Sequence, residues 1–287
     1  MTSITTSGRP GIGVASIVRA IRVLEVFADR PEGVALTRLS AELGYGKATL
    51  SKVLATMERG HFVRRDTATG HFHLSCRLLA LAFAYAERVG IPGLCAPILQ
   101  ALADETGELV QLAVVEGGSV LFVAKAEGPD QRMRMVPLVG AVAPLHATAS
   151  GKVWLASLSE AAAAAALTQQ GLARLAPRTI TSRARLLAQL RDVRAQGYAI
   201  VDEELVAGGR AVAAPVIRGD GVVGSVAVSG PTFRVPVHKL HRMAPRLKRA
   251  AAELAAVWPH EVTARDFGLG VRVRTDNGRP RAARRHA

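Results

Sequence analysis

Between Lys47 and Arg59 the sequence sets Lys47, Thr49, Ser51 and Lys52 against Leu50, Val53, Leu54 and Met57. At helical periodicity the apolar four share one side and the short polar and basic groups lie off it. Two ammonium groups and two hydroxyls contain no nucleophile–base pair. They are hydrogen-bonding groups of the kind that meet phosphate oxygens and base edges. Further on, Arg64 and Arg65 precede Thr67-Ala68-Thr69-Gly70, a turn between two short β-prone runs, 62–66 and 71–74.

Other groupings lead to simpler readings. His146 and Ser150 are four apart, but no strained elbow motif surrounds the serine and no third group is at hand, so the histidine is expected to be structural. Asp202, Glu203 and Glu204 have no neighbouring His and read as a solvated or inter-subunit acidic turn. Gly151-Lys152 lacks the glycine that a phosphate loop needs five residues earlier, and Val153 follows the lysine, so the pair reads as the start of a helix. Gly11, Gly13 and Ser16 follow no strand and lack the last glycine of a dinucleotide fingerprint. Cys76 and Cys95 are two thiols without zinc spacing and are expected to be reduced. His61, His71 and His73 read as surface groups near phosphate rather than metal ligands, and Trp154 and Trp258 as core. No catalytic residue, metal or cofactor is expected, and the chain reads as something other than an enzyme.

The elements that must position these groups follow from punctuation and period. In 287 residues there are 37 Lys and Arg against 23 Asp and Glu, a net charge of +14. The excess is spread out, with ten basic and six acidic residues in 1–75, twenty and fourteen in 76–259, and seven and three in 260–287. Net charge alone therefore does not specify nucleic acid; position does. The longest apolar run, 78–86, is too short to span a bilayer, and residues 1–10 hold no apolar block of signal-peptide length, which predicts a cytoplasmic protein.

Ile17, Ala20, Ile21, Leu24 and Phe27 predict a helix capped by Ser16 and ended by Arg30-Pro31. A second helix fits 37–43 and a third 47–59, followed by the hairpin. Helix, helix, short turn, helix and hairpin in under 65 residues make a winged helix-turn-helix. A further helix fits 75–90 and is apolar beyond one stripe, as if packed on the second domain or on its own copy. Gly90-Ile91-Pro92-Gly93 is expected to break it before a helix at 94–106. Runs at 109–115 and 120–123 read as a hairpin, with a possible third strand at 132–136. Helices at 151–158, 160–168 and 183–196, strands at 198–201, 211–217 and 222–229, and a helix at 236–258 complete an α+β domain with a largely antiparallel sheet.

Four stretches in order carry a resemblance. They are Ser16–Ala20 with Val23-Leu24-Glu25, and Leu39–Gly44 leading into Lys47–Leu54. The others are Val139-Gly140 with Pro144–Lys152, and Gly197–Glu204 followed by Ala213–Val216 and Val228–Pro231. Over residues 14–258 the chain resembles the IclR-type bacterial transcriptional regulators. The resemblance implies a winged helix-turn-helix DNA-binding domain at 14–74, a linker helix at 75–90 and a GAF/PAS-like α/β effector-binding domain at 91–259. Residues 260–287 are expected to form a basic, disordered tail.

It also implies a homodimer or homotetramer on double-stranded DNA at a palindromic operator, with a repressor as the expected sense. Expected DNA contacts are Arg19, Lys47, Ala48, Thr49, Ser51, Lys52, Arg64, Arg65 and Thr69. The implied effector pocket uses Ala149, Ser150, Val201, Ala211, Ala227 and Ser229. Glyoxylate- and pyruvate-responsive members carry Asp, Cys and Ser where this chain has Val201, Ala211 and Ala227. The effector is therefore expected to be an organic acid or aromatic metabolite larger or less polar than glyoxylate, or to be lost.

Overall fold

The computed structural model describes residues 14–129 and 135–259. The arm at 1–13 and the tail at 260–287 lie outside the described residues, as does most of the possible strand at 132–136, of which Met135 and Val136 belong to no strand. The chain divides into two compact units between Arg88 and Val89.

The first unit holds α1 (Ala15–Ala28), α2 (Leu36–Leu43), α3 (Lys47–Arg59), β1 (Val63–Arg65), β2 (Phe72–Leu74) and α4 (Cys76–Val89). Val23, Phe27, Leu39, Leu50, Leu54, Val63 and Phe72 form its core. Ser16 is not the cap expected of it: α1 starts one residue earlier, from Val14, with no side-chain cap. Its apolar residues also split into two faces. Val23 and Phe27 turn into the core, whereas Ile17 and Ile21 join Val14 and Val18 on the exposed side. Gly44 adopts φ 70° to end α2, which a side chain would disfavour. Val34 pairs with Phe72 through two backbone hydrogen bonds, adding a one-residue bridge beside the β1–β2 hairpin. On α4, Leu79, Leu81, Phe83 and Tyr85 are exposed.

The second unit opens with α5 (Ile91–Thr106). Only Gly90, at φ 74°, breaks the chain after α4. Pro92 falls in the first turn of α5, where its missing N–H costs nothing, so the expected four-residue break shrinks to one residue. β3 (Leu109–Glu116), β4 (Ser119–Ala126), β5 (Ala199–Asp202), β6 (Gly209–Arg218) and β7 (Gly221–Pro231) form one sheet in the order β4-β3-β7-β6-β5, antiparallel throughout.

Side chains alternate across the sheet. Val110, Leu112, Val114, Val212, Ala214, Val226 and Val228 meet α5 and α9 (Val237–Val257) in an aliphatic core. Ala113, Ala199, Val201, Ala213 and Ala227 face α6 (Ala149–Ser157), α7 (Glu160–Gln170) and α8 (Arg183–Gln196). Every residue of α6 from Ala149 to Ala156 is buried, as expected of a helix enclosed on all sides. A Cβ at Gly151 would come within 2.5 Å of Leu145 Cα, so glycine is what lets the preceding segment pack so closely.

Candidate functional site

In the first unit, the buried stripe of α3 is Leu50, Val53, Leu54 and Met57. Lys47, Ala48, Ser51 and Lys52 are exposed and Thr49 is half-buried. No side chain caps α3 at Gly46, so its first-turn N–H groups remain open to an anionic acceptor. Arg19 lies with its guanidinium 5.6 Å from the centre of the Tyr45 ring, and Ser40 Oγ donates to the Tyr45 carbonyl at 2.7 Å. These two contacts fix the turn that aims α3.

At the hairpin, Asp66 accepts from the N–H groups of Ala68 and Thr69 at 2.8 and 3.0 Å, and Thr69 Oγ1 accepts from His71 N. The Thr69 and Ala68 amides hold the Asp66 carboxyl below its ordinary range. Arg65 stacks 5.4 Å from the centre of the Phe72 ring. Arg64 is opposite His73, and as neighbours on a strand Arg64 and Arg65 point to opposite faces. They therefore offer two separate cationic contacts. His61 is exposed, but His73 is half-buried, with Nδ1 3.4 Å from the Pro31 carbonyl and its ring against Gly33. For His73, the expected surface histidine gives way to one that braces the 31–33 turn.

In the second unit, Val201 is opposite Ala211, Ala211 opposite Ser229, and Ala213 opposite Ala227, so the four expected sheet residues share one face. Across from that face, Thr148 caps α6 by accepting from Gly151 N at 3.1 Å. The amides of Ala149 and Ser150 then sit in the first helical turn, where helix geometry supplies no partner. The hydroxyls of Ser150 and Ser229, respectively 1% and 8% exposed, have no hydrogen-bond partner. Two further unpartnered groups were not anticipated: Gln111 Nε2 and Ser225 Oγ, on residues 5% and 2% exposed. The signal for Ser225 was its spacing of two from Ala227 and of four from Ser229. Gln111 required the β3–β7 register, in which it lies opposite Ala227.

The acidic turn is corrected. Asp202 is bound by Arg178 at 2.5 Å and by Arg210, near the surface. Glu204 is buried instead, with Oε1 2.5 Å from Lys152 Nζ, and its carbonyl accepts from Thr179 Oγ1 at 2.6 Å. Lys152 is wholly buried in the middle of α6. His146 is buried and its Nε2 donates to the Ala173 carbonyl at 2.8 Å, a structural role. Among the described residues no group of three His, Cys, Asp or Glu is placed to hold a metal, and no helix is long and apolar enough to cross a membrane.

Residues 16–67 match the IclR helix-turn-helix domain, and residues 83–256 match the family described as bacterial transcriptional regulator IclR C-terminal. The chain belongs to the IclR family. Like the other members, it is a transcriptional regulator. Over 245 residues it is 31% identical to the HTH-type transcriptional regulator BhcR of Paracoccus denitrificans (strain Pd 1222), covering 85% of this chain and 87% of that one. It is 28% identical to the transcriptional repressor IclR of Escherichia coli (strain K12), over 85% and 90% of the two chains. Among solved structures, an IclR transcriptional regulator from Alicyclobacillus acidocaldarius superposes with a TM-score of 0.76 at 28% identity, covering 86% of this chain and 99% of that one.

Proposed function

We propose that this IclR-family protein is a cytoplasmic, effector-responsive repressor. Residues 14–74 hold DNA, 75–90 link, and 91–259 sense a small organic acid or aromatic metabolite. Lys47, Thr49, Ser51 and Lys52, with the Ala48 surface beside them, enter the major groove, while Arg19, Arg64, Arg65 and Thr69 engage the backbone at the flanks. So short a helix reads only a few base pairs, so two half-sites and a homodimer, or a pair of dimers, are required. The exposed Val14, Ile17, Val18 and Ile21 of α1 and the exposed Leu79, Leu81, Phe83 and Tyr85 of α4 support burial against a second copy.

The observation that carries effector binding is the set of unpartnered hydroxyls at Ser150 and Ser229, facing the alanine-lined floor of Ala211 and Ala227. A ligand preferred by one arrangement of the protein shifts the population that fits the operator. The test is a gel-shift on the protein's own promoter fragment at low ionic strength, repeated with organic acids and aromatics that raise the melting temperature. Failure to retard the fragment overturns the regulator reading; retardation that no stabilising compound changes overturns effector control.

A further inference from the structure

Gln111 and Ser225 stand outside the set of residues assigned to the effector pocket, yet they share its sheet face. Gln111 lies directly opposite Ala227, so Ser225 and Ser229, two residues to either side of Ala227, are its diagonal neighbours. Such neighbours are about 7–8 Å apart, within reach of a long side chain or of one bridging ligand. The space among them is floored by methyl groups: Ala113, Ala211, Ala213 and Ala227. Burying an amide or hydroxyl without a partner is unfavourable, and native cores keep few such groups. Four lie in this one layer, at Gln111, Ser150, Ser225 and Ser229.

Charge divides the layer. The α6 amino terminus at Ala149 and Ser150 presents backbone N–H groups and the positive end of a helix dipole, which suits a carboxylate. The Gln111–Ser225 end offers only neutral groups. The buried charges of this unit, Lys152 with Glu204 and Glu108 with Arg234, are paired to each other. A second carboxylate at the neutral end would find no counter-charge.

We propose that Gln111 and Ser225 form the uncharged end of the effector site and select a monocarboxylic acid bearing a hydroxyl or carbonyl group remote from its carboxylate. Gln111 donates through Nε2, and Ser225 donates or accepts. This inference rests on the effector reading of the C-terminal domain and adds the class of ligand. It also restores polarity to a pocket that Val201, Ala211 and Ala227 alone would leave apolar.

The test uses the full-length protein and pairs of acids that differ by one hydroxyl: benzoate with 4-hydroxybenzoate, phenylacetate with 4-hydroxyphenylacetate, and pentanoate with 5-hydroxypentanoate. In calorimetric titrations, the hydroxylated member of at least one pair is expected to bind about tenfold more tightly or better, because a site built to bond a hydroxyl discriminates against its absence. Gln111→Leu and Ser225→Ala are each expected to cut that ratio to about threefold or less while leaving affinity for the plain acid nearly unchanged. Neither substitution removes a made hydrogen bond, so the melting temperature without ligand should hold or rise. A ligand-free melting temperature lowered in both variants would instead make the two residues structural and overturn the inference. So would acids that bind with no hydroxyl preference, or with a preference that both variants retain; the effector reading would stand in either case. If no acid in the set binds, the effector reading fails and the inference fails with it.

Discussion

Lys152 Nζ, at the centre of a helix buried on every side, lies 2.5 Å from Glu204 Oε1 on the loop that follows β5. Burial pushes the Lys152 amine below its ordinary value, and the Glu204 carboxylate opposes that shift. The unfolded chain therefore binds more protons at this group, and its contribution to stability rises as pH climbs toward the ordinary lysine range. Removing one partner leaves a buried charge. Glu204→Ala is expected to cost about 3–5 kcal/mol in urea unfolding, and Lys152→Met with Glu204→Leu to recover most of that loss.

Lys52→Ala should weaken binding to the operator more than to unrelated DNA. Arg65→Ala should weaken both alike and lower the salt slope by about one. Anisotropy titrations over a range of salt concentrations check this; unchanged affinity in both variants would remove α3 and the hairpin from the DNA surface.

Asp66 organises the turn between β1 and β2. Its carboxyl is held below the ordinary value of 3.8, chiefly by the Thr69 amide and then by that of Ala68. The contribution is thus present above that value and lost as pH falls through the lowered one. Asp66→Ala should reduce affinity for operator and unrelated DNA together, while the response to any stabilising ligand survives. A variant binding as tightly as the parent would sever the turn from function.

Ala211 is half-buried opposite both Val201 and Ser229. Ala211→Trp should fill the pocket: circular dichroism and DNA binding stay as in the parent, while the ligand-induced thermal shift disappears. A retained shift would place the ligand elsewhere.

Cys95 is buried and its thiol is pushed up to about 11 by desolvation, whereas Cys76 is exposed. At pH near 8 an aromatic disulfide reagent should titrate one thiol in the native protein and two after denaturation. Rapid reaction of two in the native protein would contradict the packing around Cys95.

Local signals were the ones that could be read ahead of the structure. The apolar stripe of α3 gave its limits at Lys47 and Arg59, and Ser182 caps α8 by accepting from Arg185 N while Gly197 closes it at φ 74°. Contacts between distant segments were not legible. Nothing near Gln111 announces that it will lie opposite Ala227, because that depends on how β3 and β7 register. Glu204 looked solvated because acidic runs commonly are, and its partner Lys152 is 52 residues away. Ile17 and Ile21 fit the helical period equally well on a buried or an exposed face, and only the packing of Val23 and Phe27 decides between them.

The alternation along β7 ties two properties to one reading frame. Val226 and Val228 supply grease to one layer while Ser225, Ala227 and Ser229 line the other. Losing or gaining a single residue in this strand would exchange the two sets at a stroke, spoiling cohesion and recognition together. New ligand preferences in this lineage can therefore arise by replacing every second residue, but not by changing the strand's length.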